Sequence, residues 1–163
     1  MKNFNSNTDN CDVWLTPPYI IEALGKFDLD PCAPLNRPWD TARKHYTIEE
    51  DGLKQEWFGR VWCNPPYGKN TFIWLEKLAA HGKGMTLIFA RTETKGFHKT
   101  IWNKADGIFF FQGRLRFYTG DGVQGGSANA PSCLVSYGKM DTEILKNCSL
   151  KGKFILLNQE LKI

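Results

Sequence analysis

Two consecutive prolines, Pro65 and Pro66, interrupt the chain directly after an apolar, β-prone run, Val61-Trp62-Cys63. Each proline fixes its own φ near about −65° and removes a backbone donor. The residue before each is pushed out of the α region. The chain therefore leaves a strand in a rigid, extended kink, with Asn64 and Tyr67 held on either side of it. Open α/β sheets carry reactive groups in such places, at the carboxyl ends of buried strands. A packed tyrosine after an ordinary strand-ending turn is the plain alternative.

A chain of 163 residues is expected to form one domain, spanning residues 1–163. At this size roughly two-thirds of the unfolded surface would be lost on folding. A hydrophobic content of 42% with 13% aromatics excludes the disordered class. The net charge of +4 leans towards a polyanionic partner, but on charge alone a lysine-rich solvated surface explains it better. The five cysteines are odd in number and irregular in spacing, without Cys-x-x-Cys, so neither a disulfide framework nor a zinc site is indicated. His45, His81 and His98 share no ligand spacing, and no metal is expected. There is no signal-peptide pattern and no apolar run long enough to span a bilayer. No membrane association and a reducing cytoplasm are the expectations.

Residues 1–11 are polar and Asn-rich and read as a loose tail. Thr16 is placed to cap a helix that begins at Pro17 and Pro18 and ends at Gly25. Phe27 to Ala33 alternates briefly and reads as a short strand ending at the acidic Asp30. Pro34 to Pro38 is a loop, and a short helix or strand covers Thr41–Thr47. Thr71–Ala80 is an amphipathic helix that Gly82 terminates. Gly84–Ala90 is a buried strand by its continuous apolar run. Phe97–Lys104 reads as helix and Gly107–Phe111 as strand. In Arg114–Tyr118 charged or aromatic residues alternate with apolar ones, ahead of a glycine-rich loop from Gly120 that composition makes flexible. Ser132–Tyr137 reads as a strand pairing back antiparallel with its predecessor. A helix near Asp141–Asn147 and a strand Phe154–Leu157 close the chain. The alternation of strands and helices makes this an α/β domain without internal repeat.

Three motifs now stand in order: Thr16-Pro17-Pro18, Asp30-Pro31-Cys32-Ala33 and Asn64-Pro65-Pro66-Tyr67. Together they resemble the S-adenosylmethionine-dependent amino-methyltransferases, most closely the small phage-type DNA adenine-N6 methyltransferases. The likeness runs from Asp12 to Gly138. It takes in Trp14-Leu15 before the first motif, Asp51-Gly52-Leu53, Trp62-Cys63, and Gly113-Arg114-Leu115-Arg116-Phe117. The resemblance implies a compressed Rossmann-like methyltransferase sheet, mostly parallel, with an antiparallel strand near the C-terminus. It implies S-adenosylmethionine as cofactor and double-stranded DNA with a flipped adenine as partner. It further implies a phage or prophage enzyme acting in the cytoplasm of the bacterial host.

The same resemblance implies residue roles, and chemistry makes them intelligible. An adenine amino group is a poor nucleophile because its lone pair is delocalised. The Asn64 side-chain carbonyl and the Pro65 backbone carbonyl would accept its two N–H bonds and stabilise the positive charge that builds during transfer. Pro66 holds the kink, and the Tyr67 ring offers a face for a flipped base. Thr16 and Pro17 are expected at the methionine end of the cofactor. Asp30, Pro31, Cys32 and Ala33 are expected to line its pocket beside Asn64, with Asp51 near its adenine. Arg91, Lys95, Arg114 and Arg116 are expected to bind the DNA backbone, with His98 and Lys99 near them. No Gly-x-Gly follows Asp30. The stretch from Ala33 to Arg60 is too short for two strand–helix units, so an element is expected to be shortened or missing there. Two other readings remain open. One is methylation of a different planar nitrogen, in a protein glutamine or an RNA guanine. The other is a non-catalytic nucleic-acid-binding protein of the same fold.

Overall fold

The structure is a computed structural model that describes residues 14–158. The tail expected at residues 1–11 lies outside them. In chain order the elements begin with β1 (Trp14–Leu15), α1 (Pro18–Leu24), β2 (Leu29–Asp30), β3 (Lys44–His45) and β4 (Val61–Cys63). They continue with α2 (Thr71–His81), β5 (Gly84–Phe89) and α3 (Lys95–Phe97), which runs into a π-helical turn, His98–Trp102. The remainder is β6 (Gly107–Phe111), β7 (Arg116–Thr119), β8 (Gln124–Ser127), β9 (Ser132–Tyr137), α4 (Lys139–Lys146) and β10 (Gly152–Leu156).

Seven strands form one mixed sheet in the order β10-β6-β9-β5-β4-β2-β3. The expected predominance of parallel pairing is not what the sheet has. Its β3–β2, β2–β4 and β4–β5 pairs are parallel, whereas β5–β9, β9–β6 and β6–β10 are antiparallel. The chain path explains the reversal. After β6 it builds β7 and β8, and β9 then re-enters between β5 and β6 and runs back against both. Ser132–Tyr137 is thus antiparallel, but not to the preceding Arg114–Tyr118 segment. Instead β7 joins a separate antiparallel sheet of order β1-β7-β8. Half of the glycine-rich loop is therefore strand, with Arg116 opposite Ser127 and Tyr118 opposite Gln124. Between β2 and β4 only the two-residue β3 stands, with no helix.

The apolar side chains lie on both faces of the large sheet, as a doubly covered sheet requires. Strand β4 divides them: Val61 and Cys63 join one cluster and Trp62 the other. The first cluster is closed by Trp74, Leu75 and Leu78 of α2 and by Ile101 of the π-helical turn. Helix α2 stops where Gly82 turns left-handed, φ 77°, and its N–H caps the Leu78 carbonyl. The second cluster is closed by Ile20 and Leu24 of α1, Leu145 of α4, and Leu115 and Phe117 at the small sheet. Helix α1 differs from expectation at its start. Pro17 is its N-cap and no side chain caps it, so the Thr16 hydroxyl is free for another contact. Among the described residues, no helix is long and apolar enough to cross a membrane.

Candidate functional site

From β2 the chain goes to β3 on one side and returns as β4 on the other. Such a reversal opens a crevice outside the carboxyl ends of the two strands. Leu29 pairs with Val61, so Asp30-Pro31-Cys32 and Cys63-Asn64-Pro65 leave the sheet side by side. One contact ties them directly: the Cys32 thiol donates to the Asn64 carbonyl over 3.0 Å. The first and third sequence motifs meet as well. The Asn64 Nδ2 donates to the Trp14 carbonyl at 3.1 Å and to Thr16 Oγ1 at 3.2 Å. With the amide so oriented, Oδ1 is left as an acceptor that no described residue occupies. The Pro65 carbonyl likewise takes no backbone hydrogen bond from a described residue. The Pro66 carbonyl accepts from Thr71 Oγ1 at 2.6 Å, which fastens the far side of the kink to the first residue of α2.

Tyr67 follows, 36% exposed. Its ring stacks on Phe89 at the end of β5, 4.4 Å between centroids and 20° between planes. Phe117 of the small sheet meets it edge-on at 6.4 Å and 82°. The Arg91 guanidinium lies 5.8 Å from the Phe89 ring. Phe89 and Phe117 thus hold the ring in place, two and three positions after two carbonyl acceptors that no described residue occupies. Packing raises the Tyr67 phenol pKa above its ordinary value, so the hydroxyl stays protonated.

Asp30 is 4% exposed. One carboxylate oxygen accepts the Cys32 N–H at 3.2 Å, and the other accepts the Thr41 hydroxyl. Burial pushes its pKa from 3.8 up to about 6, against the opposing pull of those two bonds and of Arg37. Thr41 is itself placed by His45, whose Nε2 lies 3.2 Å from the Thr41 N–H and 3.4 Å from that of Ala42. Burial lowers the His45 pKa, in keeping with an unprotonated nitrogen accepting both. Asp51 reaches the same region through its neighbour. A Cβ on Gly52 would lie 1.8 Å from the Pro31 carbonyl oxygen, so only glycine lets the two loops touch. Asp51 itself adopts φ 55°, a left-handed conformation that aspartate tolerates, and pairs with Lys54 at 3.3 Å.

The cationic residues are more dispersed than the motifs. Arg91 stands next to the aromatic plane, and Lys95 opens α3 on the surface. Arg116 projects from β7 between the buried Leu115 and Phe117, as alternation requires. Arg114 bonds to the Ala128 carbonyl at 3.3 Å and lines a separate depression with Glu22, Ser149 and Lys151. Sequence reasoning missed Trp14, Thr41, Phe89 and Phe117. Phe117 stood in the family likeness without an assigned role, and Phe89 lay within the apolar run Gly84–Ala90. The Trp14 contact uses a main-chain carbonyl, which no residue type announces.

Acceptors without donors beside an aromatic plane, at the carboxyl edge of an α/β sheet, suit a planar amine that must be held and polarised. The comparison with known families gives the amine its identity. The family model for DNA N-6-adenine-methyltransferase (Dam) matches residues 4–157 of the 163. The chain belongs to that family and is a DNA adenine-N6 methyltransferase, with DNA as its partner. Neither the curated proteins nor the solved structures contain a match to it.

Proposed function

We propose that the methyl donor is S-adenosylmethionine and that the target adenine is flipped out of a duplex onto the Asn64–Tyr67 edge. The observation that carries this reading is that Asn64 Oδ1 and the Pro65 carbonyl both lack a donor among the described residues, in the same short segment as the packed Tyr67 ring. Two acceptors match the two N–H bonds of an exocyclic amine. Drawing both protons into bonds favours a tetrahedral nitrogen and stabilises its growing positive charge without reorganisation. A stacked base cannot reach such acceptors, so extrusion precedes chemistry. Tyr67, braced from behind by Phe89, gives the extruded base a plane to rest on. Arg91, Lys95 and Arg116 serve the flanking phosphates. Arg114, set apart in its own depression, is at most a distant contributor.

When bound, S-adenosylmethionine supplies a sulfonium methyl group, electrophilic enough for direct transfer to nitrogen. The residues present suit it. Asp30 is a buried carboxylate, and each of its oxygens keeps a lone pair beyond the bonds it already accepts. An ammonium or hydroxyl donor of the cofactor fits there, with Pro17, Pro31, Cys32, Ala33 and the Asp51 turn lining the crevice around it. A compressed methyltransferase sheet, lacking one strand–helix unit after β2, follows from the same reading.

A titration tests the assignment. A cofactor that prefers ionised Asp30 must displace a proton once pH falls below about 6. Affinity for S-adenosylmethionine is expected to weaken about tenfold between pH 7 and pH 5. Asp30→Asn should bind more weakly at neutral pH and lose that dependence. Stability carries the opposite sign. The folded state holds the Asp30 proton between its ordinary 3.8 and about 6, so this group's contribution falls as pH rises through that window. Affinity that is flat in the wild type removes Asp30 from the cofactor site. Absence of binding, with DNA present, refutes the cofactor.

Tyr67 supports a separate expectation. Stacking of a base on an aromatic ring is worth about 1–3 kcal/mol. Tyr67→Ala should weaken binding of DNA containing an extrahelical adenine by roughly 5–150-fold, as read by fluorescence anisotropy. Tyr67→Phe keeps the plane and should stay within about threefold of wild type. Equal loss in both variants would assign the effect to the hydroxyl and contradict the stacking role.

A further inference from the structure

A carboxamide has two ends of opposite hydrogen-bonding character, and they occupy nearly the same volume. If Asn64 were turned over, an N–H would face the incoming amine, donor against donor. Something must therefore choose the orientation. The Trp14 carbonyl, 3.1 Å from Nδ2, can only accept, so it attracts the NH2 end and repels Oδ1. Thr16 Oγ1, 3.2 Å from Nδ2, accepts from the same group. Thr16 is 3% exposed and its hydroxyl caps no helix. Its one hydrogen bond among the described residues is the one to Asn64.

The placement of these two acceptors is not local to Asn64. Trp14 and Leu15 pair with Thr119 and Tyr118 of β7. The same strand carries Phe117 against Tyr67. The small sheet thus fixes the carbonyl that orients the Asn64 carboxamide and also contacts the Tyr67 ring.

We propose that Thr16 is a positioning residue for methyl transfer: with the Trp14 carbonyl it holds the Asn64 carboxamide so that Oδ1 faces the target amine. The inference rests on the reading of Asn64 as the amine's acceptor. It moves the Thr16 hydroxyl from the cofactor, where resemblance put it, to the catalytic carboxamide. Pro17, next in the chain, remains with the cofactor.

Steady-state methylation kinetics on wild type, Thr16→Val and Thr16→Ser decide the matter, with KM for S-adenosylmethionine and Tm measured on each. Thr16→Val keeps the shape and removes the acceptor. Its kcat is expected to fall about tenfold, the scale of one lost orienting hydrogen bond. KM for the cofactor should stay within about twofold of wild type. Thr16→Ser should restore kcat to within about twofold, because it restores the acceptor. Wild-type kcat in Thr16→Val overturns the proposal. So does a loss that resides in KM for the cofactor, or a serine variant no better than valine. If Thr16→Val does not fold, Thr16→Ala carries the same expectation and the same refutations. Wild-type kcat in Asn64→Ala refutes the underlying reading of Asn64 instead.

Discussion

Replacing Asn64 by alanine should lower kcat by about 10²–10³-fold, the loss seen when one preorganised polar group aimed at a developing charge is removed. The expectation follows from what would remain. Pro65 would still offer its carbonyl, but a single acceptor draws only one N–H away from the ring plane. Tyr67 would still stack on Phe89, because that contact does not pass through Asn64. KM for DNA should therefore change far less than kcat. The variant should still fold, with a stability loss of about 1–3 kcal/mol, since it removes two hydrogen bonds to the Trp14–Thr16 segment and leaves the buried Thr16 hydroxyl without a partner among the described residues. Single-turnover kinetics with saturating DNA check this. A decrease of less than about fivefold would mean that the carboxamide does not polarise the amine.

The second large effect is on stability. Arg60 precedes β4, and its Nε lies 2.7 Å from Asp141 Oδ1 in the first turn of α4. The two side chains are 7% and 1% exposed. The guanidinium also lies 4.0 Å from the Phe27 ring centre and donates to the Lys26 carbonyl at 3.1 Å. Burial raises the Asp141 pKa despite the pull of Arg60, so desolvation outweighs attraction in this pair. The pair is then a poor source of net stability, but breaking it is costly. Asp141→Ala leaves a guanidinium buried without its counter-charge and should destabilise the protein by about 3–5 kcal/mol in denaturant unfolding. The double variant Arg60→Met with Asp141→Leu should recover most of that loss. A single-variant loss below about 1 kcal/mol would show that Arg60 finds water or another partner. Neither residue touches the Asn64 crevice, so kcat of the folded variant should stay near wild type.

The parts of this molecule that were legible in its sequence are those that local chemistry fixes. Pro65 and Pro66 fix the exit from β4 whatever surrounds them, and Gly82 ends α2 because few other residues turn left-handed at little cost. The continuous apolar run Gly84–Phe89 had to be a doubly covered strand, and it is the centre of the large sheet. What was not legible depends on partners distant in sequence. β1 and β3 have two residues each, too few to display a period, whereas the brief alternation ending at Asp30 was enough to show β2. β8 is half glycine, and its extended state comes from pairing with β7, not from propensity. Ser132–Tyr137 was readable as a strand, but which strand it would join was set by the path of the chain through the small sheet. At the site, the three motifs were recognisable as residue types. The bond between Asn64 and Thr16 spans 48 positions and could not be read from either motif alone. Local reasoning gave the Thr16 hydroxyl to a helix cap, because a threonine before two prolines is where a cap belongs.

The most direct test follows the methyl group itself. Duplex DNA is incubated with wild-type protein and S-adenosylmethionine carrying a deuterated methyl group, then digested to nucleosides and analysed by mass spectrometry. Methyl transfer to adenine puts the label in N6-methyladenine and in no other nucleoside, and Asn64→Ala should lower it by about 10²-fold or more. Label on cytosine or guanine, no label at all, or equal labelling by the Asn64 variant would contradict that assignment.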